Sequence, residues 1–128
     1  MCDSTLLKER IERLLILLNR IPDRFSTIQA PADFLATKAG VEHLDSICMV
    51  LIAVGEELKK IDRQTSGTLL SKYPQIPWSN IMGMRDFLAH HYFEIAPDQL
   101  FDTCQNDIPE LINVVKQILC ELNNSSTP

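Results

Sequence analysis

The sequence of 128 residues lacks several features that mark particular classes of protein. No apolar run approaches the roughly 18 residues of a transmembrane helix, so no membrane span is predicted. The first ten residues contain no basic segment ahead of an apolar stretch, so no secretory signal is predicted there. Glycine is scarce, with four residues, which argues against a turn-rich β-sandwich. We therefore expect a cytoplasmic protein that does not associate with membranes.

The cysteines do not have the spacing of a metal site or a disulfide framework. Cys2, Cys48, Cys104 and Cys120 form no Cys-x-x-Cys pair, and no cysteine–histidine pair has zinc-finger spacing. Free thiols are the simplest interpretation for a chain in a reducing compartment. Cys48 and Cys120 lie among apolar residues and are predicted to be core thiols. No metal ion or other cofactor is expected.

Positive charge is scarce in the second half of the chain. The net charge is −5, and residues 65–128 contain 3 Lys/Arg against 7 Asp/Glu, whereas residues 1–64 contain 9 against 10. This balance argues against bulk electrostatic binding of nucleic acid, and no DNA partner is expected. Phosphate chemistry in the second half would rest on few cations, on basic residues of the first half, or on cations lent by another chain.

Apolar residues recur at helical spacing along most of the chain. The first helix is predicted to end at Pro22 and the stretch 26–31, and the last to start at a cap on Asp107 and to end near Leu122. Between them the pattern predicts a short helix at 31–38, a long helix to about 63, a loop at 64–77, a helix at 77–89 and a short helix from Pro97. The fold class is all-α: an up-down bundle of four main helices plus one or two short ones, in one domain over 1–128 with a frayed tail at 123–128.

The long helix has two apolar stripes between residues 41 and 61. A helix that is apolar on more than one face is either central in the bundle or shared with a partner, and this excess of apolar surface leads us to expect a homodimer. Gly55 marks a possible close approach of another helix. The charged run at 56–60, Glu-Glu-Leu-Lys-Lys, is interpreted as a solvated helix end.

One segment departs from this pattern, around Arg85 and His90. Arg85 lies on the same helical face as Leu88, so it points inward and needs a partner anion or a wet cavity. Asp86 and His90 are one turn apart, which predicts a contact between carboxylate and imidazole. His90 lies about 140° around the helix from Arg85. The two can meet only if the helix distorts near Ala89 or if they converge across two chains.

An arginine and a histidine are sufficient equipment for the cleavage of RNA. The 2′-hydroxyl beside the scissile phosphodiester is a built-in nucleophile, and a histidine can take or give its proton. An arginine can stabilise the charge on the phosphate through charge-assisted hydrogen bonds. On composition alone, an ion-paired helix end is the commoner arrangement for such residues.

The segment resembles a known family. Arg85, His90 and Tyr92 match the R-x-x-x-x-H-x-Y signature of HEPN proteins. The wider sequence is similar to the HepT subfamily from about residue 6 to 122, including Tyr73-Pro-Gln-Ile-Pro-Trp78 and Asp107-Ile-Pro-Glu-Leu111.

This resemblance implies a homodimer whose two signatures face each other in a cleft. It implies a metal-independent endoribonuclease toxin that acts on an RNA such as tRNA or mRNA. It also implies a neighbouring MntA-like nucleotidyltransferase that serves as antitoxin and transfers AMP to the signature tyrosine. Carried over, Arg85 and His90 are catalytic, Asp86 is a supporting polar residue and Tyr92 is the modified residue. His91 departs from relatives with acidic residues there and is a rival base.

Two other functions stay open. The chain could be a non-catalytic partner of a nucleotidyltransferase that helps to hold substrate or nucleotide, or a bare helical dimerisation module. A binding module needs charge and shape but not this spacing of arginine, histidine and tyrosine, so the signature favours the ribonuclease.

Overall fold

The computed structural model describes residues 4–125 and confirms the all-α bundle, with no strand among those residues. Four long helices and two short ones follow one another along the chain: α1 Ser4–Phe25, α2 Asp33–Ala36, α3 Lys38–Gln64, α4 Trp78–His90, α5 Pro97–Asp102 and α6 Ile108–Ser125. Single 3₁₀ turns lie at Leu70–Lys72 and Tyr92–Glu94, and a π-helical turn at Thr103–Asp107. None of the helices described is long and apolar enough to cross a membrane.

Helix α3 lies at the centre of the bundle, where α1, α2 and α4 pack around it. From Leu44 onwards both of its apolar stripes are covered within the one chain, and of their members only Val41, at the start of the first stripe, is exposed; the buried ones are Leu44, Ile47, Cys48, Val50, Leu51, Val54, Gly55, Leu58 and Ile61. The reason given above for a homodimer is therefore wrong, because no second apolar face of α3 is left for a partner to cover. The stripes mark a central helix instead.

Two thiols belong to the core, but not the pair expected from the sequence. Cys48 and Cys104 are buried, whereas Cys120 is exposed on α6, and Cys2 lies outside the described residues. Burial raises the pKa of both buried thiols to about 12, so they behave as small apolar side chains. The apolar neighbours of Cys120 in sequence lie on a different face of α6 from its thiol.

Two helix ends differ from the prediction at prolines. Helix α1 passes through Pro22 and ends at Phe25, because a proline this near the C-terminus removes only one of the last intrahelical hydrogen bonds. Asp107 is not a cap, since α5, the π turn and α6 form continuous helical backbone from 97 to 125. Helix α6 itself begins at Ile108 with Pro109 in its first turn, as predicted, and the wider π turn that ends at Asp107 leaves room for the proline ring, which would clash with a regular preceding turn.

The end of α6 also differs. The helix continues to Ser125, so Asn123 and Asn124 are helical where a frayed tail was expected, and residues 126–128 lie outside the described part.

The loop after α3 is anchored by two aromatic side chains, Tyr73 and Trp78. The Trp78 indole Nε1 donates a 3.0 Å hydrogen bond to the Tyr73 carbonyl oxygen. The Tyr73 hydroxyl donates to the Glu121 carboxylate on α6. Both contacts fix the point at which α4 begins and so help to position the helix that carries the signature.

Candidate functional site

The signature residues lie at the C-terminal end of α4 and in the turn that follows it. Arg85, Asp86 and His90 belong to α4, and Tyr92 begins the 3₁₀ turn Tyr92–Glu94. Helix α4 continues without interruption past Ala89 to His90. The distortion near Ala89, one of the two alternatives, is therefore absent, and Arg85 and His90 project from different sides of a regular helix.

Arg85 lies at a close approach of α3 and α4. A Cβ atom added to Gly55 of α3 would lie 2.3 Å from the Arg85 Cβ and 3.0 Å from its Cγ. Only glycine leaves room for this contact, as its position in the sequence suggested. The Arg85 stem thus packs on the α3 backbone, and its guanidinium is half-buried.

The partner anion that Arg85 requires is supplied by two carboxylates. The Arg85 Nε lies 2.5 Å from the Glu56 Oε1, and the Arg85 Nη1 donates a 2.9 Å hydrogen bond to the Asp86 Oδ1. The Nε–H does not point along the line to Glu56, so this contact is an ion pair rather than a hydrogen bond. Charge compensation makes a half-buried guanidinium tolerable at this interface.

Asp86 pairs with Lys59 and Arg85 and not with His90, so the expected contact one helical turn away is wrong. The Lys59 Nζ donates a 2.8 Å hydrogen bond to the Asp86 Oδ1, the same oxygen that Arg85 contacts. Hydrogen bonds from Lys59 and then from Arg85 hold the pKa of Asp86 below its usual value. Hydrogen bonds from two cationic side chains, one on α3 and one on α4, occupy this carboxylate in place of the imidazole.

The sequence analysis missed the part that residues 56–60 play in this site. Glu56 and Lys59 contact the signature residues directly, and Glu57 is buried, with its Oε1 3.8 Å from the Arg10 Nη1 and its Oε2 4.0 Å from the Lys60 Nζ. The position of Gly55 was the available signal, since a helix packed at Gly55 also meets the next turn of α3.

The remaining signature residues, His90 and Tyr92, lie at the C-terminal end of α4 and just after it. His90 and His91 are exposed. The His91 Nδ1 is 3.6 Å from the Glu94 Oε2, and its ring lies 5.5 Å from that of Phe87. Tyr92 is half-buried and its ring contacts that of Phe93 edge-on, at 5.4 Å. Phe93 is 96% exposed, an unusual position for phenylalanine in a monomer.

Two concave regions flank α4, and neither is lined by the signature residues. A cavity of about 540 Å³ lies between α4 and the segment from Ile95 to Ile108, and its acidic lining includes Asp102 and Asp107. Burial, followed by repulsion from Asp102 and Glu110, raises the pKa of Asp107. A shallower groove of about 470 Å³ lies between α3 and α4, next to the Asp86–Lys59 pair. Across residues 4–125, no group of three or more His, Cys, Asp and Glu side chains is arranged to hold a metal ion.

Comparison with known proteins identifies the family. A sequence profile described as Ribonuclease HepT-like matches residues 8–118, which include the whole site. The chain belongs to the HepT-like ribonuclease family. No solved structure matches it.

Relatives of this HepT-like chain are named as ribonucleases. It is 37% identical over 79 residues to "Putative RNase MJ0127" of Methanocaldococcus jannaschii, a match of 59% of this chain and 62% of that protein. It is 34% identical over 87 residues to "Putative RNase TTE0752" of Caldanaerobacter subterraneus, covering 68% of each. It is 33% identical over 66 residues to "Probable ribonuclease HepT" of Thermococcus cleftensis, covering 52% and 56%. The chain thus spans less than two thirds of the first and third relatives.

Proposed function

We propose that this chain is a metal-independent endoribonuclease, the toxin of a type VII toxin–antitoxin pair. The observation that carries the proposal is the placement of Arg85, His90 and Tyr92 at the open end of α4 in a HepT-like ribonuclease chain. The site combines a guanidinium fixed by packing with an accessible imidazole. Those two groups are sufficient for the transesterification of RNA.

In the proposed reaction the 2′-oxygen of the substrate attacks the adjacent phosphorus. His90 accepts the 2′-hydroxyl proton, and the bond from phosphorus to the 5′-oxygen breaks. The leaving 5′-oxygen takes a proton from water and His90 returns its proton to the solvent, which leaves a 5′-hydroxyl on one product and a 2′,3′-cyclic phosphate on the other. Arg85 donates hydrogen bonds to the phosphate oxygens, where negative charge builds up in the transition state.

The geometry of α4 favours an active site built from two chains. His90 lies five positions after Arg85, which places the side chains about 140° apart around the helix and about 7.5 Å apart along its axis. A symmetric dimer brings Arg85 of one chain towards His90 of the other. The support for a homodimer is therefore the separation of Arg85 and His90 on α4, and not the apolar stripes of α3.

Direct assays of RNA cleavage test this proposal. Arg85→Ala and His90→Ala should each remove most of the activity while the far-ultraviolet circular dichroism is unchanged, since Arg85 is only half-buried and His90 is exposed. His91→Ala is the matched control at the neighbouring exposed imidazole, and its activity should persist. Activity should also survive treatment with a chelator. An inactive His91→Ala with an active His90→Ala would reassign the base, and a chelator-sensitive activity that Mg²⁺ restores would contradict the mechanism.

We further propose that an MntA-like nucleotidyltransferase inhibits the toxin by transferring AMP to the Tyr92 hydroxyl. The oxygen of Tyr92 attacks the α-phosphorus of ATP, and pyrophosphate leaves. The added phosphodiester would bring a negative charge towards Arg85, and the adenosine would block access for RNA. Co-expression with such an enzyme should add AMP to the peptide that contains Tyr92 and silence the nuclease. Tyr92→Phe should escape both effects, whereas silencing of an unmodified Tyr92 would point to occlusion.

A second candidate function is a non-catalytic partner of a nucleotidyltransferase. The observation in its favour is that Arg85 is already neutralised by Glu56 and Asp86, as a structural clamp between α3 and α4 would be. A clamp without catalysis predicts that Arg85→Ala lowers the melting temperature and that the purified chain cleaves no RNA. Cleavage that depends on His90 would exclude this role.

A further inference from the structure

The groove between α3 and α4 continues from the signature arginine along the surface. Lys59 and Arg63 line it on α3, Met82 lines it on α4, and Ser66 and Gly67 close its far end. Met82 lies one helical turn before Asp86, and Arg63 one turn after Lys59. The groove is therefore continuous with the Asp86–Lys59 pair.

Three cations follow this path in order: Arg85, Lys59 and Arg63. The first two converge, because the Lys59 Nζ lies 2.8 Å and the Arg85 Nη1 2.9 Å from one and the same oxygen, Asp86 Oδ1. Arg63 is about 6 Å further along the axis of α3. That step is comparable with the spacing of neighbouring phosphates along a nucleic-acid strand.

The charges of Arg85 and Lys59 are compensated by carboxylates, whereas that of Arg63 is not. Glu56 and Asp86 compensate Arg85 and Lys59. Among the described residues, the exposed side chain of Arg63 forms no salt bridge. An arginine kept without an anion beside a concave surface is available for an anion from outside the protein.

Lys59 also has N–H donors that its hydrogen bond to Asp86 does not use. An ammonium group has three N–H donors, and the Asp86 Oδ1 takes one of them. The carboxylate thus holds the Lys59 head beside Arg85 while the other donors are free to bind a phosphate oxygen. This gives Asp86 a supporting role towards the cations rather than towards His90.

We propose that Lys59 and Arg63 bind the phosphate next to the scissile one and so form a track for the backbone of a single RNA strand. The inference rests on the proposed ribonuclease function and adds the direction in which the substrate lies. It also assigns a use to basic residues of the first half of the chain in a protein of net charge −5. Asp62 lines the same groove, and its negative charge repels a phosphate. Removal of that charge should therefore change the affinity in the opposite direction from removal of a cation.

The test separates binding from cleavage by the use of a labelled oligonucleotide with 2′-O-methyl groups, which lacks the nucleophile. Its dissociation constant is measured between 50 and 200 mM salt for wild type, Lys59→Ala, Arg63→Ala and Asp62→Asn. Each cation removed should weaken binding several-fold at low salt and reduce the slope of log K against log salt by about 0.7, the value for one contact to a single strand. Asp62→Asn should tighten binding.

Lys38→Ala is the matched control, because Lys38 is an exposed lysine at the opposite end of the same helix. It should change neither the affinity nor the slope. Lys59→Arg should restore the affinity that Lys59→Ala loses. Arg63→Ala breaks no salt bridge among the described residues, so no large folding defect is expected. With cleavable RNA, both alanine variants should raise KM more than they lower kcat, since they act on binding away from the reacting bond.

The outcomes for the groove and for the ribonuclease are distinguishable. If Lys59→Ala and Arg63→Ala cleave RNA and bind the oligonucleotide as tightly as wild type, the proposed track is wrong and the proposed ribonuclease function is unaffected. Binding that depends on both residues without cleavage of unmodified RNA would support the track and overturn the ribonuclease. An oligonucleotide that does not bind, or whose affinity falls equally in the Lys38→Ala control, would also overturn the track.

Discussion

At the scale of single residues, the signature residues depend on partner side chains that their spacing does not reveal. Arg85 was expected to need an anion, and Glu56 supplies it from a helix almost 30 positions earlier in the chain. That partner could not be read from the sequence, because its identity depends on the register in which α3 and α4 pack. The contact between Asp86 and His90 followed from helical spacing alone and failed, since spacing ignores competing cations such as Lys59.

Tyr73 provides a prediction at the same scale, one that depends on pH. Burial, then the hydrogen bond to Glu121 and the charge of that carboxylate, raise the pKa of Tyr73 from 10.0 to about 12. Folding therefore favours the protonated phenol, and this contribution to stability is complete below pH 10 and is lost as the pH rises towards 12. Tyr73→Phe should lower the free energy of unfolding by about 1–2 kcal/mol at neutral pH.

The measurement for Tyr73 is chemical denaturation of wild type and Tyr73→Phe at several pH values. The difference in the free energy of unfolding should shrink between pH 10 and 12, while contributions from Cys48 and Cys104 are common to both proteins and cancel. A difference that does not change with pH over this range would contradict the assignment of the Tyr73 hydroxyl to Glu121.

At the scale of helices, most of the bundle was predictable and the ends were not. Apolar spacing located α1, α3, α4 and α6 because burial against a core imposes the helical period on the sequence. Pro109 was interpreted as a residue of a first helical turn, and α6 does begin at Ile108, but a π turn joins it to α5 where a cap on Asp107 was expected. A proline in the sequence shows which backbone conformations are disfavoured at that position. It does not show which of the remaining conformations the surrounding packing selects.

The contact between Gly55 and Arg85 gives the prediction at this scale. Gly55→Ala places a methyl group 2.3 Å from the Arg85 Cβ, and both atoms are attached to helix backbone, so α3 and α4 must move apart. We expect a loss of about 1–3 kcal/mol in the free energy of unfolding, together with a loss of RNA cleavage, because Arg85, Glu56 and Lys59 shift relative to one another.

Gly83→Ala is the matched control for Gly55→Ala. An added Cβ at Gly83 of α4 meets no atom within 4 Å, so alanine should gain up to about 1 kcal/mol through helix propensity. Thermal unfolding of both variants gives the comparison. A stability of Gly55→Ala equal to that of Gly83→Ala would show that the helices do not meet at Gly55 as described.

At the scale of the whole molecule, the question is which chains contribute to one active site. The sequence left two solutions open, a distorted α4 or a pair of chains, and the regular helix from Trp78 to His90 removes the first for the chain as described. The apolar pattern of α3 does not distinguish one chain from a pair of chains. A central helix and a helix in a dimer interface have the same pattern, and only the positions of the neighbouring helices tell them apart. Regular helix geometry carries the argument instead.

Mixed dimers of inactive variants test the composite site. If Arg85 of one chain acts with His90 of the other, a dimer of an Arg85→Ala chain and a His90→Ala chain retains one complete site and one site that lacks both groups. Equal mixing after denaturation and refolding should therefore restore about a quarter of the wild-type rate, because half of the dimers are mixed and each has one of two sites. Mixing Arg85→Ala with the Arg85→Ala/His90→Ala double variant is the control, since no combination of these chains contains an arginine at 85. Activity that stays at the level of the separate variants after mixing would assign both groups to one chain, and α4 would then have to unwind near Ala89 when RNA binds.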